Sequence, residues 1–381
     1  MKVKLGEYIQ EYSVRNKANE DIPVYSVTNT QGFCQDYFGK EVASKDKSTY
    51  KIVPRGYFAY NPSRINVGSV DWQRDEDQVI VSPLYNVFSV SPELNQQYLY
   101  YYLKSDFALH RIKAVATGSV RDNLKLEMLK NFPIRIPSVE EQEYIVQALD
   151  KAKNIIDLRR NEFQKLDDLI RARFVEMFGD PVSNPYKLPM VLLGELSELI
   201  TKGASPSWQG FNYTDDPSQT LFLTSENVKN GYIDLSSPKY IEDKFNTKQK
   251  RSIVHKGDFL INIVGASIGR AAQFNLNCKA NMNQAAALVR INDNRIRDKY
   301  LLTYLNSDKA QLMYDSMKSD TGRANLSLKD ISELSILLPS IEEQLIFEKV
   351  VAQIDKSKAT VQKALDETQL LFDSLMQQYF G

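Results

Sequence analysis

The chain carries its own sequence twice, and this constrains its fold more than any other feature. PSVEEQ at residues 137–142 returns as PSIEEQ at 339–344, an offset of 202 residues. At that offset Leu124 and Leu126 fall on Leu326 and Leu328, Ile134 on Ile336, and Phe178-Gly179 on Phe380-Gly381. QQYLYYYLKSD (96–106) likewise falls on DKYLLTYLNSD (298–308). Upstream, Thr117-Gly118 and Thr321-Gly322 each open a short polar stretch ending in Asn-Leu (Asn123-Leu124, Asn325-Leu326), and Leu5-Gly6-Glu7 matches Leu193-Gly194-Glu195. Self-similarity at a fixed offset marks repeated structural units. The order is a variable region, a shared segment, a second variable region and the shared segment again.

The shared segments, Glu140–Phe178 and Glu342–Phe380, contain no Pro or Gly and predict two long helices. Ser138 followed by Glu141, and Ser340 followed by Glu343, fit the S-x-x-E box that satisfies the first free N–H groups of a helix. A 4-3 spacing runs through Ile145, Leu149, Ala152, Ile156, Arg159, Phe163, Leu166, Ile170, Arg173 and Met177. The second helix repeats it with Phe347, Val351, Ile354, Lys358, Val361, Leu365, Thr368, Phe372, Leu375 and Tyr379. Eight of ten positions are apolar in each, and a sustained 3.5-residue repeat with charged flanks is a coiled-coil pattern. ALDKAK (148–153) and QIDKSK (353–358) align better at an offset of 205, which suggests a local three-residue shift. A helix of this length spans about 58 Å, more than a domain of this size is wide. If the halves are related by a pseudo-two-fold axis, the helices run antiparallel and hold the variable regions apart like a ruler.

The expected class is α+β. It comprises two variable globular domains (residues 1–136 and 180–338) and two long helices (137–179 and 339–381). Strands are expected near Tyr57–Tyr60, Val79–Val81, Val87–Val90, Phe259–Val264 and Ala285–Ile291, and short helices over Gln96–Ser105 and Asp298–Ser307. A chain of 381 residues exceeds what one core normally holds. No run approaches the roughly 20 apolar residues of a membrane span, the start lacks the apolar stretch of a signal peptide, and two distant cysteines, Cys34 and Cys278, build no disulfide framework. A soluble, cytoplasmic protein is expected. Forty-eight basic residues balance 48 acidic ones, yet the regions outside the long helices carry an excess of five positive charges, which permits a basic face.

The variable regions hold the candidate binding residues. PRGYFAYNPSRINVG (54–68) offers Arg55, Asn61, Arg64 and Asn66; its counterpart KGDFLINIVGASIGR (256–270) offers Asn262, Ser267 and Arg270. Further candidates are Lys202, Ser205 and Trp208 in TKGASPSWQG, and Asn281 and Gln284 in ANMNQ. Arg and Asn can grip guanine and adenine edges with two hydrogen bonds, and Arg and Lys neutralise phosphates. Each alone also fits a solvated loop. Enzymatic signals are poor. His110 and His255 lack partners at metal-ligand spacing, and Gly265–Gly269 lacks the Lys and hydroxyl of a phosphate loop. Asn61-Pro62-Ser63-Arg64 lacks the second proline and the aromatic of an amino-methylating motif.

The paired PS[VI]EEQ helix starts, the Thr-Gly stretches before them, YNPSRINVGSV (60–70) and the domain-helix-domain-helix order together resemble the specificity (S) subunit of type I restriction-modification systems. That resemblance covers essentially the whole chain. It implies that each variable region reads one half of a split double-stranded DNA target, and that the helices set the spacer. It implies no catalytic residue, cofactor or metal in this chain. Two modification subunits using S-adenosylmethionine, and restriction/translocase subunits using ATP and Mg, would join it, with no membrane involved. It also places Arg121, Arg323 and Asn325 at the domain-helix junctions, as phosphate contacts or as junction caps. A stand-alone DNA enzyme, and a coiled-coil adaptor that binds only protein, are the competing readings.

Overall fold

Two helices of 40 residues organise the chain, Val139–Phe178 and Ile341–Phe380. In the computed structural model the described residues are 2–35, 46–116, 123–180, 182–317 and 325–381. They fall into two units, Met1–Asn161 with Gln362–Gly381, and Glu162–Val361. Each long helix therefore contributes one stretch to each unit. The helix starts are capped as their sequences predict. Ser138 Oγ accepts from Glu141 N at 3.2 Å; Ser340 Oγ accepts from Glu343 N at 3.3 Å, while Glu343 Oε2 accepts in return from Ser340 N.

In the first unit, antiparallel strands lie in the order Ile9–Glu11, Asn86–Val90, Phe58–Tyr60, Val70–Trp72. Side chains alternate across a strand, so Phe58 and Tyr60 enter the core beneath the helices Gln96–Lys104 and Asp106–Val115. Ala59 faces a second cluster with Val53, Val79, Val81 and Val87. The second unit repeats this sheet as Ser197–Lys202, Ala286–Ile291, Phe259–Asn262, Ala271–Gln273. Phe259 and Ile261 enter one core and Leu260 the other. This unit also has a four-stranded sheet of Tyr213–Thr214, Tyr240–Ile241, Thr220–Leu223 and Ala280–Met282. The expected strand Phe259–Val264 ends two residues early, at Asn262, because the chain turns into a 3-10 helix at Gly265–Ser267.

Each variable region is fastened to its long helix in the same way. Gln142 is buried; its amide donates to Glu93 O at 2.9 Å and Pro137 O at 3.0 Å, and its carbonyl accepts from Asn95 N at 2.8 Å. Gln344 donates to Arg295 O and Pro339 O at 2.9 and 3.0 Å, and accepts from Arg297 N at 2.8 Å. Tyr98 and Tyr102 donate to Arg135 O and Pro133 O; Tyr300 and Tyr304 donate to Leu337 O and Ser335 O. The receiving strands, Pro133–Arg135 and Ser335–Leu337, pair with Lys2–Lys4 and Met190–Leu192. Every one of these bonds satisfies a backbone group that packing removes from water.

The helix positions expected at an apolar seam pack within each unit. In the first, Ile145 and Leu149 are buried in the core that also takes Phe372, Leu375, Tyr379 and Phe380. In the second, Phe347 and Val351 are buried with Phe174 and Phe178, and Ile170 packs against them. Ile156, Ile354 and Val361 are buried; Phe163, Leu166, Leu365 and Phe372 are half-buried. Among the described residues no helix is long and apolar enough to cross a membrane, and no cluster of His, Cys, Asp and Glu is arranged to hold a metal.

Candidate nucleic-acid interface

The two loops singled out by sequence occupy the same place in their sheets, between the last two strands. In the first unit Phe58–Tyr60 leads through residues 61–69 into Val70–Trp72. Asn61 Oδ1 accepts from Ser63 N and Ser63 Oγ at 3.1 and 2.9 Å, which shapes the turn. A 3-10 turn Ile65–Val67 follows, with Ile65 buried as an anchor. It closes on Gly68 at φ 88°, a left-handed conformation suited to glycine. Arg64 caps the turn, exposed and without an ion pair among the described residues; Asn66 is half-buried.

In the second unit the 3-10 turn is Gly265–Ser267, the buried anchor is Ile268, and the closing glycine is Gly269 at φ 90°. Arg270 is exposed and likewise has no ion pair among the described residues. The exposed guanidinium thus stands before the turn in one unit and after it in the other. Both loops are backed by the segment that enters the shared region. Leu124 N donates to Pro62 O at 3.0 Å, and Leu326 N to Ile263 O at 2.9 Å. Asn325 is exposed and bridges to Val264.

A second group gathers beside the loop of the second unit. Lys202 ends its strand exposed, and Gly203 N donates to Asn283 O at 3.2 Å, next to exposed Gln284. A Cβ on Gly203 would lie 1.7 Å from Met282 O, so only glycine permits this approach. Beyond it Ser205 Oγ lies 3.1 Å from Ser207 Oγ, and Trp208, on the 3-10 turn Ser207–Gln209, is 88% exposed.

Other candidates have different work. Asn262 is fully buried, its amide donating to Ser225 O at 2.9 Å and Ser267 Oγ at 3.2 Å, which also engages Ser267. Asn281 is fully buried, donating to Asn246 Oδ1 and Gln249 O and accepting from Ser252 Oγ. Neither amide reaches the surface: both sit on core strands, where the backbone groups around them must be satisfied. Arg55 lies on another turn, donating to Asp75 O at 2.8 Å and paired with Asp77 at 3.2 Å. Arg121 and Arg323, with Thr117, Gly118, Thr321 and Gly322, lie outside the described residues.

Two similar loops on two similar sheets are what a repeated recognition module provides. Residues 2–167 match the family described as the type I restriction modification DNA specificity domain, and residues 190–368 match it again. The chain belongs to the type I restriction-modification DNA specificity family. Each copy of the domain takes in one variable region and most of the helix after it. Among its relatives is the type I restriction enzyme EcoBI specificity subunit of Escherichia coli, 23% identical over 374 residues, covering 90% of this chain and 78% of that one. The putative type I restriction enzyme MjaX specificity subunit of Methanocaldococcus jannaschii is 21% identical, covering 95% and 93%. In fold, the chain resembles one from a solved type I R-M system (TM-score 0.59, 20% identity, 100% and 97% covered). It also resembles the type I restriction-modification S subunit from M. genitalium (TM-score 0.53, 15% identity, 100% and 96% covered).

Within both copies of the specificity domain, sequence reasoning missed what the glutamines of the repeated EEQ and the tyrosines of the short helices do. Their recurrence at the 202-residue offset was the available signal; their burial was not.

Proposed function

We propose that this chain is the DNA-recognition subunit of a type I restriction-modification complex, with each unit reading one half of a bipartite double-stranded site. The observation that carries this reading is the specificity domain matched twice, each copy presenting on the same sheet-edge loop an exposed arginine that has no ion pair among the described residues. An exposed guanidinium without a carboxylate partner is free to take a guanine edge or a phosphate. Arg64 and Asn66 are the proposed base readers of the first half. Arg270, Gln284 and Lys202 serve the second, with Trp208 available to pack on the DNA surface. Arg55 is the weaker candidate, since Asp77 already neutralises it.

The long helices, in this reading, form an antiparallel coiled coil related by a pseudo-two-fold axis and set the number of unread base pairs between the halves. The duplicated seam supports this. The subunit itself carries no chemistry. Two modification subunits would bring S-adenosylmethionine and methylate adenine, and restriction subunits would bring ATP and Mg. The outward helix faces are where the modification subunits would dock.

Single-molecule methylation sequencing of the native host, with the gene intact and deleted, tests the reading. Deletion should abolish one split, adenine-methylated motif. Retention of every motif, while the partner methyltransferase is active, would refute it. Arg64→Ala and Arg270→Ala should each relax one half-site, by about 1–3 kcal/mol of base discrimination, and leave partner assembly intact.

A further inference from the structure

Each recognition loop is gripped from behind by the residue that closes the same short helix. Lys104 is the last residue of Gln96–Lys104, and its ammonium donates to Gly68 O as the chain leaves the 3-10 turn. It also donates to Asn29 O at 3.0 Å, at the tip of the hairpin formed by Ser26–Thr28 and Gly32–Cys34, and lies over the Tyr100 ring. At the 202-residue offset stands Asn306, just past Asp298–Leu305. Its amide donates to Ala271 O at 2.9 Å and accepts from Ala271 N at 3.0 Å, a two-point hold on the residue after Arg270. One unit uses a charge and the other a neutral amide, yet both fix the backbone within two residues of the closing glycine.

We infer that Lys104 and Asn306 are positioning residues that set the specificity of their own half-site by holding the loop which presents Arg64 in one unit and Arg270 in the other. This rests on the proposal that those loops read DNA. Lys104 is a poor phosphate contact, because its ammonium is turned onto backbone carbonyls and burial pushes it down to about 8, against the pull of Asp71. A half-buried Lys held by carbonyl oxygens acts through the backbone it holds. Charge-assisted bonds of this kind are the stronger class of hydrogen bond.

The test uses the full chain reconstituted with its modification subunits. Binding and methylation are measured on DNA carrying the complete site, each half-site scrambled in turn, and a non-specific duplex. Lys104→Met should cut discrimination at the first half-site about tenfold, with discrimination at the second and non-specific affinity unchanged; Lys104→Arg should recover part of it. Asn306→Ala should do the same to the second half-site only. Lys104→Gln, which keeps a neutral donor, gives a second reading if the methionine variant is poorly folded, and should fall between it and the native chain. Uniform weakening on every duplex, or joint loss at both halves with a lowered unfolding midpoint, would overturn the inference. If Arg64→Ala relaxes the first half-site and no Lys104 variant does, the positioning role fails and the loop reading stands. If neither changes discrimination, the loop reading fails, and this inference with it.

Discussion

The two units attach the same short helix to the same long helix with different side chains. In the first, Tyr101 fills the junction: its hydroxyl donates to Asp150 Oδ1 at 2.5 Å and its ring lies 6.1 Å from Phe372. In the second that position is Thr303, whose hydroxyl turns back to Lys299 O at 2.8 Å. A cavity of about 440 Å³ remains, bordered by Phe163, Ile170, Leu302 and Val351 and edged by the Lys358–Asp167 and Lys299–Asp355 ion pairs. The glutamine clamps and the tyrosine-to-carbonyl bonds, by contrast, are the same in both. A buried backbone group has few acceptable partners and strands at a cost when one is lost. Apolar volume can be supplied by many residues, or left to water. Divergence between the units has followed that asymmetry.

The largest expected effects therefore lie at the clamps. Gln142→Ala strands Asn95 N, Glu93 O and Pro137 O, and should destabilise the first unit by about 3–4 kcal/mol, at roughly 1–3 per stranded group with partial relaxation. Gln344→Ala should do the same to the second unit. Hydrogen exchange, resolved by unit, should show each loss confined to its own half; a loss shared equally would mean the clamps are not local fasteners.

Next come the closing glycines, where the units should part. A Cβ on Gly269 would meet Tyr314 at 2.5 Å and Gln311 at 2.6 Å, and Tyr314 is fully buried. On Gly68 it would meet the ends of the Asn29 and Lys104 side chains, at 2.9 and 3.4 Å. Both substitutions carry the left-handed backbone cost of about 1–2 kcal/mol, and only Gly269→Ala adds overpacking of about 1–3. Equal denaturant midpoints for the two alanine variants would refute that difference. Smaller again, Thr303→Tyr should fill the cavity beside Asp355 and stabilise the second unit by about 1 kcal/mol. Destabilisation there would show that the cavity's shape, rather than its emptiness, is what the fold needs.

Much of this was legible in the sequence, for a physical reason. Helix signals are local and periodic, so Ser138, Glu141 and the 4-3 apolar spacing placed the long helices to within a residue. The offset of 202 identified equivalent positions, and the competing offset of 205 has a structural counterpart. Gln97 and Lys299 are 202 apart, while the carboxylates they bond, Asp150 and Asp355, are 205 apart. What sequence did not separate was a reading Asn from a structural one. Asn262 and Asn281 have the composition of base readers, and only the three-dimensional strand context turns them inward. Arg55 and Arg64 differ in the same way, by an aspartate, Asp77, that lies 22 residues from Arg55 along the chain and 3.2 Å from it in space.

The smallest effect separates the two loop staples by their chemistry. Lys104 holds its proton less firmly in the folded chain than in the unfolded one, at about 8 against the ordinary 10.5, chiefly because burial disfavours the charge. Below pH 8 both states carry the proton, and the cost of burying the charge is felt in full. Between pH 8 and 10.5 the folded state releases it first while the unfolded state keeps it, so this group's contribution to stability rises with pH. Asn306 does not titrate and contributes no such slope to the second unit. Comparing native chain with Lys104→Met at pH 7.5 and 9.5, the native chain should improve relative to the variant by on the order of 1 kcal/mol, in the first unit alone. Parallel pH profiles would mean that the Lys104 ammonium is solvated in both states. The two staples would then differ in charge without differing in their response to pH.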